Sequence, residues 1–309
     1  MRMLIVGAGS TGGYFGGRLA QAGRDVTFLV RPARAALLKE RGLEILSPHG
    51  DYTLRPQLVT ADRLSGFYDA ILLTVKAFSL ESALSDMTAA VGPETMILPV
   101  LNGMRHVDIL AKRFGKKSVV GCACKITASI DDRGRVVQHN LIQEIAYGEM
   151  DGAVSPRIQE LDRFVRDAGF DARLSSAIER EMWEKWILLA GLGGINCLMR
   201  GTIGEVAQAP RGPEFATRLL EEIVAVVRVV GIAPSPEFVV AVKAWLTATG
   251  STQTSSMYRD LQRGVPIEAD QIIGDLVERA RLAGIEVPLL AAIYTHLCVY
   301  QRRIPTAPK

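Results

Sequence analysis

A glycine-rich motif of the kind that binds dinucleotides begins at Gly7. The apolar run Met3–Val6 leads directly into Gly7-Ala8-Gly9-Ser10-Thr11-Gly12. In a strand–turn–helix unit the first glycine makes the tight turn, the second lets the backbone approach a pyrophosphate, and the third lets helix and strand pack closely. The pyrophosphate then lies on free N–H groups of the helix. Because a strand precedes this motif and a helical segment and a second strand follow it, we predict that these residues bind a cofactor.

Arg31 indicates which dinucleotide binds. It directly follows the predicted second strand, Val26–Val30, where an NAD-binding unit usually carries an acid that accepts from the ribose 2′-OH. A guanidinium cannot accept a hydrogen bond, but it pairs well with a phosphate. We therefore predict NADP(H), with Arg31 on the 2′-phosphate. The alternative is a solvated cation at a strand end, and Arg34, one helical turn later, could be an ordinary surface residue.

Two further polar side chains follow predicted buried strands. Lys76 follows the strand at 70–75, and Asn102 follows the apolar run at 97–101. Ligands of open α/β sheets bind in the crevice outside the carboxyl ends of the strands, so both side chains are candidate ligand contacts. The alternatives are a strand-end lysine with its ammonium in solvent and a turn asparagine that tolerates a left-handed backbone before Gly103.

Lys185 lies on an otherwise apolar helical face. Ile178, Met182, Lys185 and Leu189 recur at spacings of four, three and four residues, which places them on one side of a helix. A lysine on such a face can donate a proton to a carbonyl oxygen. The alternative is an exposed lysine paired with Glu181, four residues earlier, in the favourable order. The spacing alone slightly favours that alternative.

Two regions with different periodicity position these side chains. The first half alternates apolar and amphipathic segments, which predicts a parallel sheet with crossover helices. Later strands, with a hairpin turn at 131–134, are expected to extend that sheet antiparallel. The predicted segments are strands at 70–75, 96–100, 119–125, 129–140 and 145–148, and helices at 80–90, 107–114 and 156–168, the last capped by Ser155.

From Ala177 onwards the pattern changes to helix after helix. The strongest helical periods cover 177–192, 213–231, 236–248 and 269–284, with glycine and proline between them. The boundary between two domains is expected near 171–176. We therefore predict a dinucleotide-binding domain at 1–173 and a helical substrate domain at 174–309.

Composition excludes several classes of protein. The chain has 309 residues, of which 48% are hydrophobic and 22% charged, as expected of a folded two-domain protein. A net charge of +3 without a basic run argues against nucleic-acid binding. The uncharged stretch Trp186–Met199 is shorter than the roughly 20 residues that span a bilayer. The four cysteines and four histidines lack metal-ligand spacing. We expect reduced thiols, no metal, no signal peptide, no membrane association and a cytoplasmic location.

The motifs together resemble the ketopantoate reductase (2-dehydropantoate 2-reductase) family, in family order and across nearly the whole chain. They are Gly7-x-Gly9-x-x-Gly12, Arg31, Val75-Lys76-Ala77, Leu101-Asn102-Gly103-Met104, Trp183-Glu184-Lys185, Gly204-Glu205-Val206, Ser255-Ser256-Met257-x-x-Asp260 and Ile267-Glu268-Ala269-Asp270. The resemblance implies an α/β fold: an N-terminal Rossmann domain, then an all-helical C-terminal domain of the 6-phosphogluconate-dehydrogenase type. It also implies reduction of 2-dehydropantoate to pantoate with NADPH, a step toward pantothenate and coenzyme A.

The resemblance also implies roles for individual residues. Lys185 is the general acid, Glu268 binds the substrate hydroxyl, and Ser256 binds the substrate carboxylate. Asn102 contacts the substrate and, with Lys76, borders the nicotinamide. The implied partner is a small 2-oxo acid, and a homodimer is possible. Two alternatives stay open: Glu268 as an acid favoured at a helix N-terminus, and Ser256 as part of a polar turn.

The chain departs from the family pattern beside the substrate. Family members usually carry asparagines four and eight residues after the catalytic lysine, where this chain has Leu189 and Gly193. Asn196 is a candidate replacement. Three hypotheses follow: a ketopantoate reductase, a reductase of a more apolar 2-oxo acid, and an NADP(H)-binding sensor without turnover. Intact Lys185 and Glu268 argue against the third.

Overall fold

A computed structural model of the protein describes residues 1–304, which fall into two compact units. The N-terminal unit comprises Met1–Leu101 and His106–Glu179. The C-terminal unit comprises Asn102–Arg105 and the chain from Arg180 onwards. The short segment 102–105 therefore belongs to the helical part of the protein, although it lies within the N-terminal half of the sequence.

The predicted parallel sheet is confirmed. The strands of the N-terminal unit are β1 (Arg2–Val6), β2 (Asp25–Leu29), β3 (Leu43–Leu46), β4 (Tyr52–Leu54), β5 (Gln57–Val59), β6 (Ala70–Leu73), β7 (Met96–Pro99), β8 (Val120–Ile130), β9 (Val136–Glu149) and β10 (Asp171–Leu174). Five of them form a sheet in the order β5-β2-β1-β6-β7, and every neighbouring pair is parallel. Strands β6 and β7 are fully buried apolar runs, as a sheet covered on both faces requires.

The expectation that the later strands extend this sheet is wrong. Strands β8 and β9 pair antiparallel with each other, but they belong to a second sheet in the order β10-β9-β3-β4. An isolated parallel bridge between Ile97 of β7 and Val119 connects the start of β8 to the first sheet. The cause is β3, which the sequence pattern did not predict: its Ile45 pairs with Val136 at the start of β9 and holds that hairpin in the second sheet.

The helices in chain order are α1 (Ser10–Gln21), α2 (Pro32–Arg41), α3 (Leu80–Met87), α4 (Arg105–Phe114), α5 (Pro156–Val165), α6 (Ile178–Met199), α7 (Ile203–Gln208), α8 (Gly212–Val230), α9 (Pro236–Leu246), α10 (Ser256–Gln262), α11 (Asp275–Leu282) and α12 (Pro288–Arg303). Helix α1 contacts both sheets of the N-terminal unit. A side chain at Gly16 would meet Ile5 and Phe28 of the first sheet, and one at Gly17 would meet Ile45 of the second. Small residues on α1 thus allow close packing on both sides.

Helix α6 continues to Met199, beyond the end at 192 that its periodicity predicted. Glycine usually lowers helix stability, yet Gly191, Gly193 and Gly194 all lie inside α6. At Gly191 a Cβ would be 2.9 Å from a methyl of Leu246, and at Gly194 it would be 3.1 Å from Ile293. Close packing against neighbouring helices therefore accounts for glycine at these positions.

The N-terminal unit ends at Glu179, in the first turn of helix α6. Strand β10 adds parallel to β9, and the Ser175 N–H donates to the Tyr147 carbonyl at 2.8 Å. Ile178 then packs against the backbone of Gly121 and Gly148. The boundary expected from the sequence, at 173/174, falls inside β10.

Candidate functional site

The glycine-rich loop lies between β1 and α1, at the carboxyl end of the parallel sheet. It adjoins the end of β6, the neighbour of β1 on the side where the strand order reverses. Ligands of doubly wound sheets bind at this kind of switch point. The loop is therefore placed as a dinucleotide site requires.

The backbone of this loop fits a bound pyrophosphate. Gly7 has φ of +98°, which favours glycine, and a Cβ at Gly12 would overlap the Gly7 carbonyl oxygen and the Thr74 hydroxyl. A Cβ at Gly9 would meet nothing within 4 Å, so the loop is open on that side. Gly9 caps α1 without a side-chain hydrogen bond. The first N–H groups of α1 are thus left for an anion.

Thr74 is a supporting residue that sequence reasoning missed. Its hydroxyl lies 2.9 Å from the Val6 carbonyl oxygen and 2.8 Å from that of Gly7. These contacts connect the end of β6 to the first turn of the glycine-rich loop. A threonine after an apolar strand is a weak signal, because only the pairing of β1 with β6 brings it to the loop.

Arg31 and Lys76 are both exposed near the ends of their strands. Arg31 is the N-cap of α2, and its Nη2 lies 3.4 Å from the Ser82 hydroxyl, a long contact for a hydrogen bond. Lys76 follows β6 and precedes a short helical turn at Ala77–Ser79. Both side chains lie at the carboxyl ends of strands, which is where the sequence predicts cofactor contacts.

Arg34 is more than a surface residue of α2. Its Nε donates to the Ala8 carbonyl at 3.1 Å, and its Nη1 donates to the Gly134 carbonyl at 2.8 Å. Burial lowers the pKa of its guanidinium. The side chain thus joins the glycine-rich loop to the hairpin turn between β8 and β9.

In the C-terminal unit, the predicted general acid Lys185 is half-buried on α6. Met182 and Trp186, three residues before and one after it, are 5% and 1% exposed. The Trp186 indole N–H donates to the Ile272 carbonyl at 2.9 Å, and the Arg279 guanidinium lies over the Trp186 ring. This part of α6 is therefore held firmly, and Lys185 lies where the buried face meets the exposed one.

Asn102 and Glu268 are brought together although they lie 166 residues apart in the sequence. The Asn102 amide donates to Glu268 Oε2 at 3.4 Å, and Glu268 is 6% exposed. The Glu268 carbonyl accepts from the Ile272 N–H, so the residue does stand at a helix start. Gly103, with φ of +82°, packs against the Gln271 carbonyl, where a Cβ would be 2.6 Å away.

Ser255, and not Ser256, caps helix α10. The Ser255 hydroxyl accepts from the Tyr258 N–H at 3.0 Å and is buried. Ser256 is the first residue of α10 and its side chain is exposed. The helix therefore does not need the Ser256 side chain for its start, which leaves that hydroxyl for another role.

Asn196 does not replace the asparagines absent at 189 and 193. It is fully buried, and its Oδ1 accepts from the Ser255 N–H at 2.8 Å. Its amide donates to the carbonyls of Gly201 at 2.8 Å and Gln253 at 3.4 Å. The contacts with Gln253 and Ser255 fix the segment that leads into α10, and the contact with Gly201 fixes the turn after α6, so Asn196 is structural.

We expect Asn196→Ala to destabilise the protein by about 1–3 kcal/mol, because it leaves buried backbone groups without partners. Denaturant unfolding measures the change. Asn140→Ala is the matched control, because Asn140 is partly exposed in the β8–β9 hairpin. It should lower the free energy of unfolding by less than Asn196→Ala does. Equal losses for the two variants would contradict a buried structural role for Asn196.

Met257 occupies the space beside Gly193. A Cβ at Gly193 would be 2.7 Å from the Met257 methyl group, and Met257 is 2% exposed. Leu189, one helical turn earlier, is half-buried. At 189 and 193, the two positions where the family usually has amides, the surroundings in this chain are therefore apolar.

Three structural findings concern other classes of site. Over residues 1–304, every helix is too short or too polar to cross a membrane. Within the same residues, His, Cys, Asp and Glu side chains form no group of three or more that could hold a metal ion. The four cysteines are free thiols.

Comparisons with known proteins agree with this architecture. The family model described as "Ketopantoate reductase PanE/ApbA" matches residues 3–152, and the corresponding C-terminal model matches residues 177–301. YkpB of Bacillus subtilis, an uncharacterized oxidoreductase, is 33% identical over 97% of this chain and 99% of its own length.

Solved structures are similar over almost the whole chain. A 2-dehydropantoate 2-reductase from Geobacter metallireducens is 26% identical, covers 97% of this chain and 99% of its own, and has a TM-score of 0.85. A D-mandelate dehydrogenase, solved with NADH and anilino(oxo)acetate, is 21% identical with a TM-score of 0.87 over 99% of this chain and 100% of its own. At that identity the second likeness concerns the fold alone.

Proposed function

The chain belongs to the ketopantoate reductase PanE/ApbA family and is an oxidoreductase, and on that premise we propose that it reduces 2-dehydropantoate to pantoate with NADPH. The observation that carries the proposal is the buried Glu268 carboxylate facing the Asn102 amide. An acid that only favours a helix N-terminus can stay in solvent, because its interaction with the helix dipole does not require burial. A carboxylate can accept several hydrogen bonds at once, so a buried one suits a substrate hydroxyl.

The cofactor part of the proposal rests on the N-terminal unit. Residues Gly7 to Gly12 would hold the pyrophosphate on the start of α1, and Arg31 would pair with the 2′-phosphate. Lys76 and Asn102 would border the nicotinamide. When bound, NADPH supplies the hydride that reduces the ketone.

The residues of the C-terminal unit would bind the substrate and move the proton. Lys185 would donate a proton to the ketone oxygen as negative charge develops on it. Glu268 would accept a hydrogen bond from the substrate hydroxyl, and the exposed Ser256 hydroxyl would donate to the carboxylate. The half-buried position of Lys185 supports this role, since a lysine can pack its methylene stem against apolar neighbours while its ammonium reaches a ligand.

The test is steady-state oxidation of NADPH with a panel of 2-oxo acids. With ketopantoate as the physiological substrate, we expect kcat/KM of about 10⁴ M⁻¹s⁻¹ or above. Binding of NADPH without turnover of any acid in the panel would instead favour the sensor hypothesis and overturn the proposed reaction.

A second candidate, favoured by Met257 beside Gly193, is the reduction of a 2-oxo acid with a larger hydrocarbon chain. A substrate hydroxyl that faced Met257 and Leu189 would lose a hydrogen bond, at about 1–3 kcal/mol for each unpaired group. A hydrocarbon chain at the same place has no hydrogen bond to lose. Each well-placed methylene there contributes about 1–3 kcal/mol to binding in the transition state.

Restoring the amides separates these two substrates. Because Met257 fills the space beside Gly193, the variant combines Leu189→Asn, Gly193→Asn and Met257→Ala. We expect it to raise the ratio of kcat/KM for ketopantoate over the apolar acid by about 10- to 200-fold. Leu188→Asn, also half-buried on α6 but on another face, is the control and should leave the ratio unchanged. An unchanged ratio in the restored variant would mean that these positions do not select the substrate.

A further inference from the structure

The start of helix α2 carries an unusual charge arrangement. Arg31 is the N-cap, Arg34 is the third helical residue, and the first turn contains no acid. The positive end of a helix dipole disfavours cations in the first turn and favours anions there. Residues at the N-cap and third positions lie on the same side of the turn. The sequence thus places two cations together at an unfavourable position for them.

The Arg34 guanidinium also has an unsatisfied donor. Its Nη2 is buried and has no hydrogen-bond partner within residues 1–304, while Nε and Nη1 donate to carbonyl oxygens. Burial is the cause that lowers its pKa, without an acid to oppose it. A buried charged group with an unpaired donor is costly unless a ligand completes its hydrogen bonds.

The hairpin turn beside Arg34 contains two acids, Asp131 and Asp132, and among the described residues neither forms an ion pair with Arg34. The Oδ1 atom of Asp131 accepts from the N–H groups of Arg133 and Arg135, and its Oδ2 accepts from Arg135 Nε. The Asp131 carboxylate is thus committed to its own turn. Gly134, in the same turn, offers Arg34 a neutral carbonyl.

We propose that Arg34 is a second phosphate-binding arginine, whose Nη2 donates to the 2′-phosphate of the cofactor. The assignment rests on the proposed use of NADPH. Arg34 contacts Ala8 in the loop that would hold the cofactor, and it stands in the turn that follows β2, where the adenosine ribose of a dinucleotide lies. The pyrophosphate already has the free N–H groups of α1, so the 2′-phosphate is the anion that needs this partner.

The test uses two fragments of the cofactor, 2′,5′-ADP and 5′-AMP, titrated by calorimetry against the full chain. They differ in the 2′-phosphate alone. We expect Arg34→Ala to weaken 2′,5′-ADP by about 10- to 150-fold, as for a hydrogen bond between charged groups, and to change 5′-AMP by less than about threefold. Arg34→Lys keeps the positive charge but loses the planar set of guanidinium N–H donors. We therefore expect it also to lose most of the preference for 2′,5′-ADP over 5′-AMP.

Arg41→Ala, at the exposed end of the same helix, is the matched control and should leave both affinities unchanged. Equal weakening of both fragments by Arg34→Ala would mean that Arg34 holds the loop or the pyrophosphate, and it would overturn the assignment. So would unchanged binding of both.

The same titration distinguishes failure of the proposed cofactor from failure of the second arginine. An unaltered chain that binds both fragments equally would contradict NADPH itself, and the Arg34 assignment with it. A chain that prefers 2′,5′-ADP, and loses that preference in Arg31→Ala but not in Arg34→Ala, would leave NADPH in place and overturn Arg34 alone.

Discussion

Lys185→Ala should abolish turnover while NADPH still binds with nearly unaltered affinity. The proposed role of Lys185 is to protonate the ketone oxygen, and general acid catalysis typically contributes about 10²- to 10⁴-fold. We expect kcat with the best 2-oxo acid to fall by at least that factor. Single-turnover kinetics with saturating NADPH measures the chemical step, and quenching of tryptophan fluorescence by NADPH measures binding.

Lys243→Ala provides the comparison, since Lys243 is an exposed lysine on helix α9 of the same unit. It should retain full activity. A Lys185→Ala enzyme with near-parental kcat would show that the exposed-lysine interpretation of the sequence was correct, and the proton donor would then have to be sought elsewhere.

Arg31→Ala and Arg31→Asp should weaken NADPH far more than NADH. The two cofactors differ in the 2′-phosphate, and a charge-assisted pair with it contributes on the order of 2–4 kcal/mol, or about 30- to 1,000-fold in affinity. The aspartate variant should show the larger change in preference, because it repels the phosphate and can accept from a ribose 2′-OH. Dissociation constants for both cofactors provide the measurement.

Arg63→Ala is a suitable control for the cofactor prediction, because Arg63 is an exposed arginine of the same unit that pairs with its sequence neighbour Asp62. It should alter neither dissociation constant. Equal losses of NADPH and NADH on substitution of Arg31 would mean that the residue supports the loop and does not select the cofactor.

The parallel sheet could be predicted from the sequence because its central strands are apolar on both faces and separated by amphipathic helices. Strand β6 shows no alternation of apolar and polar residues, since all four of its residues are buried. The Ser155 cap was equally local, and its hydroxyl accepts from the Ile158 N–H at 3.2 Å as expected. Features set by neighbours in sequence were therefore predictable.

The second sheet could not be predicted in the same way. Strand β3 has four residues and β4 has three, too few to give a clear period, and β3 pairs with β9, which begins only at Val136. The two sheets also pack on opposite sides of α1, whose glycines allow that close approach. The local sequence pattern does not indicate which distant strands pair or which helix lies between the sheets.

In the candidate site, too, the features set by nearby residues could be predicted and the contacts between distant segments could not. The glycine spacing predicted the loop geometry, because Gly7 has a positive φ and Gly12 lies too close to the Gly7 carbonyl for a side chain. By contrast, the partners of Asn102 and Asn196 depend on distant segments. Arg34 looked like a surface residue because its acceptors lie in the glycine-rich loop and in the distant β8–β9 turn.

The membership of residues 102–105 in the C-terminal unit has a consequence for recombination between related genes. The chain passes from one unit to the other after Leu101, Arg105 and Glu179, so a single crossover cannot exchange one unit intact. A chimaera joined near 179 would combine Asn102 and Gly103 of one parent with the turn at 268–271 of the other, where both residues make their contacts. An exchange of the complete helical unit between relatives therefore has to include this tetrapeptide.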